Sequence, residues 1–176
     1  MHTRPPSADR AIRANASRVR RDGVFVFEVH AAARVRASLS RTWEVLTDYE
    51  RLPEFVPELV SSRILERNGR QVTIAQQNRA GFLFVAQLVS MVVRIEEHPM
   101  TAMDVAMVSG DMRHYSAHWE LAPLPPDGAD GTSIAFTAAL EPNLYLPPFV
   151  GTPIMQASVT RMVEAVVREI ERAPLH

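Results

Sequence analysis

Two histidines, His114 and His118, stand four residues apart, with Asp111 just ahead of them. On a helix that spacing places both imidazoles on one face, where they can chelate one metal ion. The residues around them, from Met112 to Leu121, read instead as a strand, in which four residues span ~13 Å. Two ligands that far apart cannot both come within ~2.0–2.1 Å of one zinc ion. The spacing therefore predicts no metal site and puts both histidines on the exposed side of a sheet. Alternation along the same strand sets Arg113, Tyr115, Ala117, Trp119 and Leu121 on the opposite side, toward the interior. Trp119 there is either a ligand platform or plain core. Tyr115 brings a phenol, and Arg113 a cation that is costly to bury alone. Arg113 is thus expected to hold a carboxylate- or hydroxyl-bearing ligand head, or to pair with a local acid. Gln76 shares parity with Val72 and Ile74 and offers an amide to the interior, unless it faces the solvated end of its strand. Phe136 lies on the apolar face Ile134, Phe136, Ala138, Leu140.

Several reaction classes drop out. There is no cysteine, so thiolate ligands and cysteine nucleophiles are excluded. All 19 basic residues are arginine, so Schiff-base chemistry on a lysine is excluded too. The chain has no Gly-x-Ser-x-Gly elbow, no phosphate-cradling glycine loop and no dinucleotide fingerprint, and no organic cofactor is expected. His30, His98 and the acids show no spacing that implies a dyad. At 176 residues and 47% hydrophobic content the chain suits a soluble domain with a sizeable core. A formal charge of −1 lacks the basic excess of a nucleic-acid binder, so no nucleic-acid partner is expected.

Six arginines against two aspartates make residues 1–22 a basic segment, expected as a disordered or loosely docked tail. No apolar h-region follows those arginines, so the expected location is cytoplasmic, or periplasmic if a signal precedes Met1. A domain is expected over residues 23–173. Val24 to Val35 reads as a long strand, with the alanines at 31–33 marking a bend. Ser38 caps a short helix with the face Leu39, Trp43, Leu46, and Pro53 opens a second one toward Leu59. Strands at 60–67 and 71–79 flank Asn68-Gly69, a strong hairpin signal. Further strands are expected at 82–97, 103–108, 112–121 and 132–141. Residues 142–153 are too rich in proline for a helix and are expected as a loop. Thr152 and Pro153 suit the start of a final helix over 154–171, whose apolar face includes Met155, Val159, Met162, Val166 and Ile170. That face must lie against a curved seven-stranded antiparallel sheet.

This order resembles the helix-grip fold, of class α+β, of the polyketide cyclase/dehydrase and lipid-transport superfamily, the START-like group. Residues 43–57, Trp-Glu-Val-Leu-Thr-Asp-Tyr-Glu-Arg-Leu-Pro-Glu-Phe-Val-Pro, resemble its signature over two small helices. Gly110-Asp111-Met112-Arg113 with His118-Trp119-Glu120-Leu121 resembles its Gly-Asp-Phe-Arg…Gly-Xaa-Trp segment, with methionine in place of the aromatic and histidine in place of the second glycine. The resemblance implies an apolar cavity between sheet and long helix, open at one end. It implies a binding protein or carrier for a small apolar or lipid-like molecule, with Trp119, Tyr115, Arg113, Gln76, Phe136, Met155 and Met162 as ligand contacts. A polyketide-type cyclase or dehydratase is the enzyme alternative, and a ribosome- or protein-interacting toxin-like module the third. Residues 144–150 are expected beside the cavity entrance, as a lid, as packing, or as a patch in transient contact with membrane or protein. A monomer and a homodimer both fit.

Overall fold

Every long β-branched and aromatic run of the sequence becomes a strand, because alternation lets one side of each meet a common core. The computed structural model describes residues 12–82, 85–124, 131–143 and 146–172. In chain order these form β1 (Arg13–Arg21), β2 (Val24–Val35), α1 (Leu39–Thr47), a 3-10 helix (Tyr49–Glu54), β3 (Leu59–Asn68), β4 (Gln71–Phe82), β5 (Val85–His98), β6 (Ala102–Gly110), β7 (Met112–Pro123), β8 (Thr132–Pro142) and α2 (Pro148–Glu171). The strands make one antiparallel sheet in the order β1-β2-β8-β7-β6-β5-β4-β3. The sheet is curved and wraps around α2, the α+β helix-grip arrangement.

The sheet has eight strands among the described residues, where the sequence reading expected seven. The added strand is β1, formed by residues 13–21 of the expected tail and paired along its whole length with β2. Ala14 and Ala16 pack on the core from this strand, and α2 runs closest to β1 and β2. Residues 1–11 of the expected tail lie outside the described residues.

The first helix matches its local code. Ser38 accepts a bond from the Arg41 N–H at 3.1 Å, and Thr42 and Leu46 face inward. The following turn is a 3-10 helix that begins at Tyr49 and holds Pro53 inside it, rather than a helix opened by Pro53. The final helix also starts earlier than expected, at Pro148, so half of the expected 142–153 loop is helical. Pro148 sits in the first turn, where no N–H is required, and the helix absorbs the one bond Pro153 cannot make. Thr152 is therefore internal to α2 and caps nothing. Gly151 is needed where α2 crosses β2, because an added Cβ would lie 2.4 Å from the ring of the fully buried Phe27.

One hydrophobic core joins both layers. Val29, Val35, Val72, Ile74, Val93, Ile95, Phe136 and Leu121 from the sheet meet Val159, Val163, Val166 and Ile170 of α2. The C-terminal half of α2 is buried at 163, 165–167, 169 and 170, whereas residues 152–162 are mostly half-buried or exposed. The helix is thus gripped tightly at one end and loosely at the other.

Candidate functional site

Met155, Val159 and Met162, from the loosely gripped half of α2, belong to the same core cluster as Tyr115 and Trp119 of β7 and Phe136 of β8. Trp119 on β7 is paired with Phe136 on β8, and their rings stand 4.5 Å apart at 49°. Four residues back on the same side, Tyr115 is paired with Leu140. Burial pushes the Tyr115 phenol up from its ordinary value. Its hydroxyl has no hydrogen-bond partner among the described residues, and neither has the Trp119 indole N–H. Among the described residues, the side-chain polar atoms that are both sealed and unpartnered are Arg18 Nη1 and Glu141 Oε2. The Tyr115 oxygen is not one of them, so open space adjoins it. On β4, Gln76 is half-buried on the same side as Val72 and Ile74, and its amide donates to Ser62 Oγ at 3.3 Å.

Methionine dominates the rest of this surface. Met91, Met103, Met107, Met112, Met155 and Met162, six of the chain's eight, pack in or against the core. Unbranched thioethers fill irregular space and yield to differently shaped neighbours. The inner face between these residues carries neutral donors and apolar groups, and its charges lie at the margins.

Two of those margins are ion clusters. At the end where β3 stops and β4 begins, Tyr49 donates to Glu97 Oε1 at 2.6 Å, and Arg67 donates to both Glu97 oxygens at 3.3 and 3.4 Å. Burial, then the bond to Glu97, pushes the Tyr49 phenol up. This cluster ties the 3-10 helix to the sheet. At the opposite end, Arg18 of β1 lies 3.7 Å from Glu141 and 4.9 Å above the Phe27 ring. On the side of the other edge strand, Glu58, just before β3, receives Arg161 at 2.6 and 3.0 Å and Ser158, and so fastens the loose half of α2 to the sheet edge.

The outer side of the sheet is polar. His30, Thr137, His118, Asp104, Glu96 and Gln71 form one row across six strands. They line a groove of about 950 Å³ with a small-residue floor of Ala106, Ser116 and Ala139. Asp104 bridges His118 at 2.6 Å and His98 at 3.1 Å, and His118 also reaches Glu120 at 3.1 Å. Burial works to lower the His118 imidazole, but the two carboxylates outweigh it and hold it above its ordinary value. His114 lines the same groove.

The sequence-derived residues separate accordingly. Trp119, Tyr115, Phe136, Gln76, Met155 and Met162 meet the inner face. Arg113 does not. A register shift between Met112 and His114 makes a bulge, which turns Arg113 out beside His114 on the groove while Met112 still packs inward. Arg113 makes no ion pair with a local acid among the described residues. The sequence reading missed Met107, Met112 and the Glu58 fastening. The thioethers were visible as apolar positions, whereas nothing local to Glu58 points 100 residues ahead to Ser158. Of the expected 144–150 patch, 144 and 145 lie outside the described residues, Leu146 is buried, and Phe149 is 81% exposed.

Residues 35–167 match the family described as polyketide cyclase / dehydrase and lipid transport. The chain belongs to that family. Members of this polyketide cyclase/dehydrase and lipid-transport family bind small molecules or lipids, or cyclise polyketides. Solved structures agree on the fold. A START superfamily protein from Mycobacterium smegmatis superposes with a TM-score of 0.71 at 18% identity, covering 82% of this chain and 97% of that one. TTHA0849 from Thermus thermophilus gives 0.68 at 21% identity, covering 81% and 96%. The Zhui aromatase/cyclase from Streptomyces sp. R1128 gives 0.68 at 19%, covering 82% and 93%. No curated protein matches the sequence.

Proposed function

We propose that this protein binds a small apolar or lipid-like molecule between the loose half of α2 and the inner face of β7, β8 and β4, as a carrier or sensor. The observation that carries this reading is the Tyr115 hydroxyl: pushed up by burial, unpaired among the described residues, and not sealed off. A ligand acceptor, such as a carbonyl, would complete it, while Trp119 and Phe136 supply a flat aromatic wall and the methionines an adaptable one. Neutral donors favour a neutral head over a carboxylate, which would enter this surface without a cation to meet it. Arg113 plays no part in this binding, because it lies on the outer side of the bulge. A cyclase on the same surface would need an acid or base near the substrate. A phenol pushed up by burial is a weak proton donor, so binding is the better supported reading.

The experiment is a fluorescence titration of the Trp43→Phe background, in which Trp119 is the reporter, against neutral quinones, aromatic ketones and fatty acids. Quenching by the neutral ligands, weakened in Phe136→Ala and unchanged in Arg113→Ala, is the expected result. A flat response across the panel overturns the reading.

A further inference from the structure

Six of the seven large apolar side chains that stand exposed among the described residues cluster at one end of the fold. They are Val24 and Phe25 at the start of β2, Val60 at the start of β3, Leu88 in the first third of β5, Val108 near the end of β6, and Phe149 in the first turn of α2. Antiparallel pairing brings the five strand positions to the same end, and the contact of Gly151 with Phe27 brings the start of α2 there, while Leu65, the seventh, lies toward the other. The register shows that two hairpins project there. The last β2–β8 pair is Phe27 with Leu140, so the β1–β2 hairpin continues past it to Asp22-Gly23. The last β5–β6 pair is Met91 with Gly110, so β5 runs on beyond β6 paired with β4, which β3 borders as far as Asn78.

Each projecting hairpin sets an arginine directly across from an exposed apolar residue: Arg20 opposite Phe25, Arg21 opposite Val24, and Arg79 opposite Leu88. Arg20 stacks 5.7 Å over the Phe25 ring, and Arg21 pairs with Glu28. Arg20, Arg79 and the bulged Arg113 make no ion pair among the described residues. Against them stand Asp22 and Asp111, the latter bonded to the Ser90 N–H at 2.9 Å, while Glu28, Glu58 and Glu141 at this end are paired with Arg21, Arg161 and Arg18. Exposed apolar side chains in such number mark a contact surface. Because they are spread over two tips and a helix start, they fit a deformable partner better than a flat one. An arginine beside an apolar residue suits an interface in which the chain below enters hydrocarbon while the guanidinium stays among phosphates.

We propose that this end of the protein docks on a lipid bilayer bearing anionic headgroups, with Phe25, Leu88 and Phe149 entering the interface and Arg20, Arg79 and Arg113 meeting the phosphates. The proposal is independent of whether the inner face takes a ligand, since docking is read without one.

The test is co-sedimentation of the full chain with vesicles of phosphatidylcholine alone or mixed with phosphatidylglycerol. Partition onto the mixed vesicles is expected, falling as salt rises. Arg79→Gln should weaken it about fivefold, the share of one basic residue near an anionic surface. The double variant Leu88→Glu, Phe149→Glu should weaken it by about tenfold or more. Leu65→Glu, at the far end, should leave it unchanged and controls for added charge, with circular dichroism confirming that each variant is folded. Equal loss in Leu65→Glu, or wild-type protein remaining in the supernatant with mixed vesicles, overturns the proposal. So does a dimer in solution that Leu88→Glu dissociates while vesicle partition is unchanged, which would assign this end to self-association.

Discussion

Replacing Tyr115 by phenylalanine removes one oxygen and should move stability and ligand affinity in opposite directions. In the free protein the hydroxyl has no partner among the described residues, and burial pushes its phenol up. A fully sealed unpaired polar group costs about 1–3 kcal/mol, and this oxygen adjoins open space, so deleting it should return about 0–1 kcal/mol. For a chain of this size that is a Tm unchanged or raised by up to about 4 °C. With ligand bound, the same deletion removes a hydrogen bond worth about 0.5–1.5 kcal/mol, a two- to thirteenfold weaker Kd. The pH dependence carries the same signature. A phenol whose folded value lies above the unfolded 10.0 ionises first in the unfolded chain, so stability holds below that pH and falls as pH climbs beyond it. Tyr115→Phe should flatten that alkaline decline. Thermal unfolding of ligand-free protein from pH 7 to about 11, with titrations in the Trp43→Phe background, reads all three. A Tm lowered by more than about 4 °C would mean that the hydroxyl serves the fold, and unchanged affinity for neutral carbonyl ligands would mean that it does not meet them.

Other perturbations have equally definite expectations. Gly110→Ala combines φ +144° with a Cβ placed 2.5 Å from the Ser90 carbonyl oxygen, both fixed by backbone. It should lose about 3 kcal/mol in urea unfolding, while Gly69→Ala, with open space around it, loses less. Tyr49→Phe leaves Glu97 with Arg67 alone and should cost about 1.5–3 kcal/mol, read as a lowered Tm. The His118–Asp104 contact has a two-sided pH window. His118 is raised, so its share is complete below the unfolded 6.5 and lost above it; Asp104 is lowered, first by His118, so its share is complete above 3.8 and lost below it. Being exposed, the pair should give only a shallow maximum, well under about 1 kcal/mol, which His118→Ala removes from a Tm-versus-pH curve.

The helix-grip order was legible because its signals are local. Asn68-Gly69, the Ser38 cap and the apolar periodicity of the last helix each act within a few residues. β1 escaped because its inward positions are Ala14, Ala16 and Arg18, too small or too polar to register as an apolar face. Those alanines are small because α2 runs close above them, a constraint set by a segment more than 130 residues away. The early start of α2 was masked by Pro147-Pro148, which reads as a breaker although a first helical turn accepts proline. At the site, parity placed Tyr115 and Trp119 correctly and failed at Arg113, since a single bulged residue inverts every assignment before it. Alternation can be read from a sequence, whereas the point at which two strands lose register depends on both of them.

The methionine lining has a chemical consequence of its own. With no cysteine in the chain, all of its sulfur is thioether, and six of the eight atoms border the inner face. Peroxide converts a thioether into a sulfoxide, which is polar, chiral and a strong hydrogen-bond acceptor. Half-buried Met107, Met112, Met155 and Met162 would be oxidised before the buried Met91 and Met103. Each conversion would trade an adaptable apolar contact for an acceptor that competes with any carbonyl for the Tyr115 hydroxyl and the Trp119 N–H. Oxidation would thus alter the proposed binding surface, and methionine sulfoxide reductases would restore it.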